Sequence, residues 1–173
     1  MNLRRTRQLA AAAAVGVGLM LLAACGTVAS DGGNGLPQGR SSDTAGKLAV
    51  VSGTNVWGDI AAQIGGDQVA VTSIIHDPGA DPHEYETDVN DAAAVAHARV
   101  VIENGLGYDE FLNRLVSAGH RSDLKELQVA DLVGASGDAN PHLWYSPDYV
   151  RAAARAIQAA FAAADPAHAS TFQ

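Results

Sequence analysis

The sequence predicts an α/β protein with a parallel four-stranded sheet flanked by helices on both faces. Three observations predict it. Short runs rich in Val and Ile alternate four times with segments whose apolar residues recur at helical spacing. The first run, Leu48-Ala49-Val50-Val51, is continuously apolar, as suits a strand buried on both faces. The two loops densest in Pro, His and Asp both follow strands, and ligands of parallel sheets sit beyond the carboxyl ends of strands.

The elements follow in order. Residues 47–52 form the first strand. After Gly53-Thr54-Asn55, the residues Val56, Trp57, Ile60, Ala61 and Ile64 mark a helix that Gly65-Gly66 stops, with Trp57 on its core side. Residues 68–75 alternate and are β-branched, a second strand, and a loop rich in Asp, Pro and Gly covers 76–86. Residues 90–98 read as a helix with Asp91 in its first turn, 99–103 as a third strand, and Asn104-Gly105-Leu106-Gly107 as a tight turn. An amphipathic helix over 108–119 carries Phe111, Leu112, Leu115 and Val116. A fourth strand is expected over 127–132. Ser146-Pro147 then opens a long alanine-rich helix to residue 164, with Pro at the first helical position.

The N-terminus is of another kind. Arg4, Arg5 and Arg7 precede an uncharged apolar stretch over 10–24, shorter than the roughly 20 residues of a membrane span. Leu22-Ala23-Ala24-Cys25 reads as a lipobox. Residues 1–24 are therefore expected to be a lipoprotein signal peptide, exported by the Sec route rather than the twin-arginine route. Cys25 is the lipidated (palmitate-bearing) N-terminus of an extracytoplasmic protein held on the cell membrane. Residues 25–46, poor in apolar side chains, form a flexible tether with a reach on the order of 25 Å. The folded lobe spans 47–164.

Cys25 is the only cysteine, which excludes internal disulfides, CxxC redox chemistry and thiolate metal sites. Any metal ligands must be His, Asp or Glu. Three of the eleven basic residues lie in the signal, so the remainder sets eight against nineteen acidic residues, a net of −11. That balance argues against nucleic acid and anionic membrane surfaces and suits cations.

Two loops share one pattern. Asp81-Pro82-His83-Glu84-Tyr85-Glu86 and Asn140-Pro141-His142-Leu143-Trp144-Tyr145 each place a histidine directly after a proline, with an acid or amide before it and aromatics after. Proline restricts its own φ and the residue before it, so each histidine is held with less freedom to lose on binding. Neutral imidazole is the commonest metal ligand among side chains. His83 and His142 are accordingly the candidate metal ligands. Glu84 and Glu86 are candidate acceptors around the first imidazole, and Trp144 and Tyr85, with Tyr108, are candidate walls.

These two loops, together with Asn104-Gly105-Leu106-Gly107-Tyr108, resemble the matching segments of the solute-binding lipoproteins of zinc- and manganese-type ABC importers, in the right order and behind a lipobox. The resemblance covers residues 47–173. It implies one lobe of a two-lobe α/β protein with the ion held between lobes, and a monomer that hands its ion to a permease and its ATPase. It also implies that His83 and His142 are two of the ligands, with zinc favoured over manganese by the softness of imidazole. Asp165-Pro166-Ala167-His168-Ala169 resembles the entry to the connecting helix, so residues 165–173 are expected to begin it, and the second lobe with the remaining ligands is absent from the sequence. The histidine-rich acidic loop that zinc members often carry is also absent, which keeps manganese as the alternative ion. Two other classes fit two histidines. One is a metal-dependent hydrolase with Glu84 as general base, although no HExxH helix or nucleophile elbow accompanies it. The other is a surface adhesin with a structural metal.

Overall fold

A computed structural model describes residues 44–172; the predicted signal, Cys25 and nearly all of the tether lie outside the described residues. The strands are β1 (Leu48–Thr54), β2 (Val69–Ile75), β3 (Val100–Glu103) and β4 (Lys125–Gln128). The helices are α1 (Asn55–Gly65), α2 (Val89–His97), α3 (Glu110–Gly119), the short α4 (Val129–Val133) and α5 (Pro147–Ala164). All strand pairs are parallel, in the order β2-β1-β3-β4. The α/β class and the four-stranded parallel sheet expected from the sequence are both present.

Period-two alternation divides the strand side chains between two cores. Leu48 and Val50 of β1 and Val100 and Ile102 of β3 face Trp57 and Ala61 of α1 and Ala153, Ile157 and Phe161 of α5. Val51 and Val101 face the other way, against Val95 of α2 and Phe111, Leu112 and Val116 of α3. The central strands are therefore apolar on both faces, and their sequence is continuous rather than alternating for that reason.

Helix ends follow their capping chemistry. The Asp88 side chain accepts the backbone N–H groups of Asn90 and Asp91 at the start of α2, and Asp91 returns a bond to the Asp88 N–H. Ser146 caps α5, with Pro147 in its first turn, as expected.

The fourth strand differs from expectation. It occupies Lys125–Gln128, and residues 129–133 are helical. Its partner β3 ends at Glu103, paired with Gln128, because the chain turns sharply at Asn104. Without a strand to pair, Val129 and Ala130 turn inward against α5, and Gly134 closes the short helix with φ +69°. The helix expected from 108 begins at Glu110 for a related reason: Tyr108 and Asp109 belong to the turn after β3. Beyond α5, Pro166–His168 make one 3₁₀ turn, which returns Phe172 to the core against Phe161 with ring centroids 5.5 Å apart.

Phe161→Ala removes a fully buried ring and is expected to cost about 3–5 kcal/mol. Ser146→Ala, which loses one long cap bond, is expected to cost about 1 kcal/mol. Urea denaturation followed by circular dichroism checks both, and equal losses would contradict this division of the stabilising contacts.

Candidate functional site

The strand order creates a switch point between β1 and β3, since the chain leaves β1 for β2 on one side and returns to β3 on the other. Crevices at the carboxyl ends beside such a point are where parallel sheets receive ligands. Three loops meet there: one after β2, one after β3, and one after β4 and α4.

His83 and His142 stand on the first and third of these loops, and Tyr108 stands on the second. The Tyr108 ring lies edge-on to both imidazoles, with centroid distances of 5.9 Å to His83 and 5.8 Å to His142. Two side chains far apart in sequence thus flank one phenol ring. Both histidines are exposed.

The two histidine loops are built alike. Asp81 Oδ1 accepts the His83 N–H at 2.9 Å, and Asn140 Oδ1 accepts the His142 N–H at 2.9 Å. Proline has no N–H, so the side chain before it reaches past it to the next donor. At His142 the backbone sits at φ −76°, ψ 59°, the centre of an inverse γ-turn that Leu143 N–H closes onto the Pro141 carbonyl at 2.7 Å. Asn140 Oδ1 also lies 2.6 Å from His142 Nδ1. The backbone N–H identifies that atom as the amide oxygen, an acceptor only, so Nδ1 is the donor and, in the neutral ring, Nε2 carries the lone pair. Fixing the tautomer in this way is what an outer acceptor does for a metal-ligating histidine.

The turn after β3 positions the phenol. Gly105, Leu106 and Gly107 have φ of 81°, 55° and 74°, a run of left-handed backbone that only glycine adopts freely. A buried carboxylate stabilises it: Asp109 accepts the N–H groups of Asn104 at 2.7 Å and Gly105 at 3.1 Å. Gly53 at the end of β1 makes room, since a Cβ there would lie 2.4 Å from Asp109 Oδ2. Burial pushes the Asp109 carboxyl up from the usual carboxylate range, against the pull of its N–H donors. Burial, helped by the charges of Asp109 and Asp81, also raises Tyr108, which stays a neutral phenol.

Trp144 completes the wall, with its ring 5.3 Å from His142 and 5.1 Å from Tyr108. A cavity of about 320 Å³ opens beside these rings, bordered by Thr54, Asp77, Pro82, Tyr108, Trp144 and Tyr145. Thr54 Oγ1 is buried there without a hydrogen-bond partner among the described residues.

The other candidates stand apart from the imidazoles. Glu84 and Glu86 are exposed, and among the described residues neither carboxylate hydrogen-bonds a histidine ring. Tyr85 packs on Phe111 at 4.9 Å and donates its hydroxyl to Asp91 Oδ2 at 3.0 Å, which ties the His83 loop to α2 and α3. Among the described residues no three His, Asp or Glu side chains gather to hold an ion. Two imidazoles with fixed backbones can still supply two nitrogen ligands and leave the other positions of an ion open. Sequence reasoning missed Glu103, Asp109 and the side chain of Asn104. Asp109 carried a readable sign, an acid placed five residues after the asparagine of a glycine-rich turn.

Comparison with known proteins adds a family. The family model described as "ZnuA: Zinc-uptake complex component A periplasmic" matches residues 50–173. The chain is 31% identical over 148 residues to the iron-binding protein YfeA of Yersinia pestis, covering 79% of this chain and 46% of YfeA. It is 37% identical over 111 residues to the manganese-binding lipoprotein MntA of Halalkalibacterium halodurans, covering 61% of this chain and 36% of MntA. Among solved structures, a manganese-bound periplasmic metal-binding protein of Candidatus Liberibacter asiaticus matches with a TM-score of 0.63 at 27% identity, over 73% of this chain and 49% of that one. The chain spans about half the length of the curated relatives it matches.

Glu103 gives a test by pH. It is 5% exposed, and burial, reinforced by the charges of Asp109 and Glu126, raises its carboxyl to about 7 despite the bond from Gln128. The folded state therefore holds a proton that the unfolded chain releases near 4.3. Stability from this group is full below that value and is lost as pH rises through about 7. Glu103→Gln is expected to abolish this fall, worth about 4 kcal/mol at most, and so to gain on the unaltered protein at pH 8. Denaturation at pH 5 and pH 8 checks it, and an unchanged fall in the variant would refute it.

Proposed function

Because the chain belongs to the zinc-uptake complex component A family, a class of solute-binding proteins rather than enzymes, we propose that it captures a divalent transition metal ion outside the cytoplasmic membrane and delivers it to an ABC-type permease for uptake. One observation carries the reading: two Asx-Pro-His loops converge on Tyr108 at the switch point of the sheet, and the His142 tautomer leaves its Nε2 free. The lobe over residues 47–164 supplies His83 and His142 to the ion, Trp144 and Tyr108 exclude water from one side, and the remaining ligands come from a second lobe reached through residues 165–173. Residues 1–24 direct export, Cys25 bears the lipid, and the tether keeps the lobe near the permease.

The coarser statement, a divalent transition ion, has the wider support, since the relatives are named for iron and manganese. Zinc is the finer proposal, resting on imidazole as a borderline-soft ligand, with manganese as its rival.

Titration calorimetry with zinc(II) and manganese(II) is the test. His83→Ala and His142→Ala are each expected to weaken binding at least tenfold, a loss of about 1.4 kcal/mol or more, with unfolding curves close to those of the unaltered protein. Unchanged affinity in both variants would overturn the assignment. Tighter binding of manganese than of zinc would reverse the finer proposal alone.

A further inference from the structure

We propose that Asn104 is a positioning residue for the metal site: its side-chain amide holds the peptide that enters His142 and so sets the direction of that imidazole. The inference rests on the metal-binding reading above.

Asn104 is fully buried at the carboxyl end of β3, beside the switch point. Its side chain works in two opposite senses. Oδ1 accepts Trp57 Nε1–H at 2.9 Å, and Nδ2 donates to the Pro141 carbonyl at 2.9 Å and to the Gly105 carbonyl at 3.0 Å. The indole N–H identifies the accepting atom as oxygen, so the atom facing Pro141 is the nitrogen. Its backbone is equally engaged, through Asp109 on the N–H side and Ala130 N–H on the carbonyl side.

The Pro141 carbonyl is the group that matters. It closes the inverse γ-turn centred on His142, accepting Leu143 N–H at 2.7 Å, and it also takes the Asn104 bond. A carbonyl fixed by two donors fixes the peptide plane between Pro141 and His142. With Asn140 holding the ring nitrogen and the backbone N–H, few degrees of freedom remain to this imidazole. Trp57 of α1 bonds the far end of the amide, and the hold on Pro141 comes from Nδ2 alone. Aspartate in place of Asn104 keeps the acceptor for Trp57 but turns an acceptor toward two carbonyls, and alanine removes all three bonds.

The test compares Asn104→Asp with Trp57→Phe in the full chain, titrated with zinc(II) alone. Asn104→Asp loses the two Nδ2 bonds and Trp57→Phe loses one buried bond, and both are expected to melt at a lower temperature. Asn104→Asp is expected to weaken zinc binding 10–100-fold, the usual cost of losing an outer partner of a metal ligand. Trp57→Phe, which keeps the bond to Pro141, is expected to stay within about threefold of the unaltered chain. In nuclear magnetic resonance spectra, Asn104→Asp should move the ring signals of His142 and leave those of His83 in place. Parallel affinity losses in the two variants, or unmoved His142 signals, would overturn the proposal and leave Asn104 a core residue only. His142→Ala serves as the reference arm. If it and His83→Ala both bind zinc as the unaltered chain does, the metal reading itself fails; if His142→Ala weakens binding while Asn104→Asp does not, only the positioning role falls. Should Asn104→Asp not fold, the unaltered chain decides. Its Asn104 amide protons are expected to exchange slowly with solvent and to shift on zinc addition, and amide signals blind to zinc would refute the role.

Discussion

A buried carboxylate held by backbone amides shapes the ligand edge of this sheet. Asp109 places one oxygen on the N–H of Asn104 and the other on that of Gly105, in space that Gly53 leaves by having no Cβ. Burying such a group is costly unless donors surround it, and its raised pKa records that the donors only partly compensate. The return on that cost is a turn of three consecutive left-handed residues that would not persist unaided. From this turn the Tyr108 ring and the Asn104 amide both project, and neither His83 nor His142 would have its present neighbours without it.

Around that turn, the histidine loops solve a common local problem. A loop beyond a strand must satisfy its backbone donors without a ladder. Here an Asp or Asn placed before proline takes the next free N–H, once at Asp81 and once at Asn140, and Asp77 does the same for Gly79 at 2.9 Å. Proline lowers the entropy of the unfolded loop, and the side-chain oxygen selects one folded geometry. The difference between the two histidine loops is instructive. Asn140 also reaches the His142 ring, whereas Asp81 holds only the His83 backbone. The His142 side is therefore the more completely preorganised half of the pair.

The parts legible in the sequence are those governed by local pattern. The apolar runs of β1 and β3, the helical spacing in α1 and α3, and the Ser146-Pro147 start of α5 all reflect period and capping, which neighbours in sequence determine. Both histidine loops were legible for the same reason, since Asx-Pro-His is a local device. What escaped was set by partners distant in sequence. β4 ends at Gln128 because β3 ends at Glu103, and the β-branched character of Val129 and Val133 gives no hint of that. Trp57 was legible as core, but its bond to Asn104 spans 47 residues. Tyr85, read as a wall of the site, instead uses its hydroxyl on Asp91, because the capping carboxylate of α2 happens to lie beneath it. Glu103 reads as an ordinary strand-ending acid until β4 and α3 cover it.

The two histidines draw their support from opposite faces of the sheet. The His83 loop is tied through Tyr85 to Phe111 and to the cap of α2, the layer packed on Val51 and Val101. The His142 loop is tied through Asn104 and Trp57 to the layer of α1 and α5, packed on Val50 and Val100, and Leu143 and Trp144 join that core directly. Tyr108 stands between, on the turn of the strand that contributes to both cores. Each histidine is thus exposed, and each loop is anchored to a different core. An ion shared by the two rings would bridge those cores across the carboxyl edge of the sheet. Binding and lobe stability would then be linked, because an ion held only by the folded state stabilises both layers together. The same division confines damage: loosening one core disturbs one histidine loop and leaves the support of the other in place.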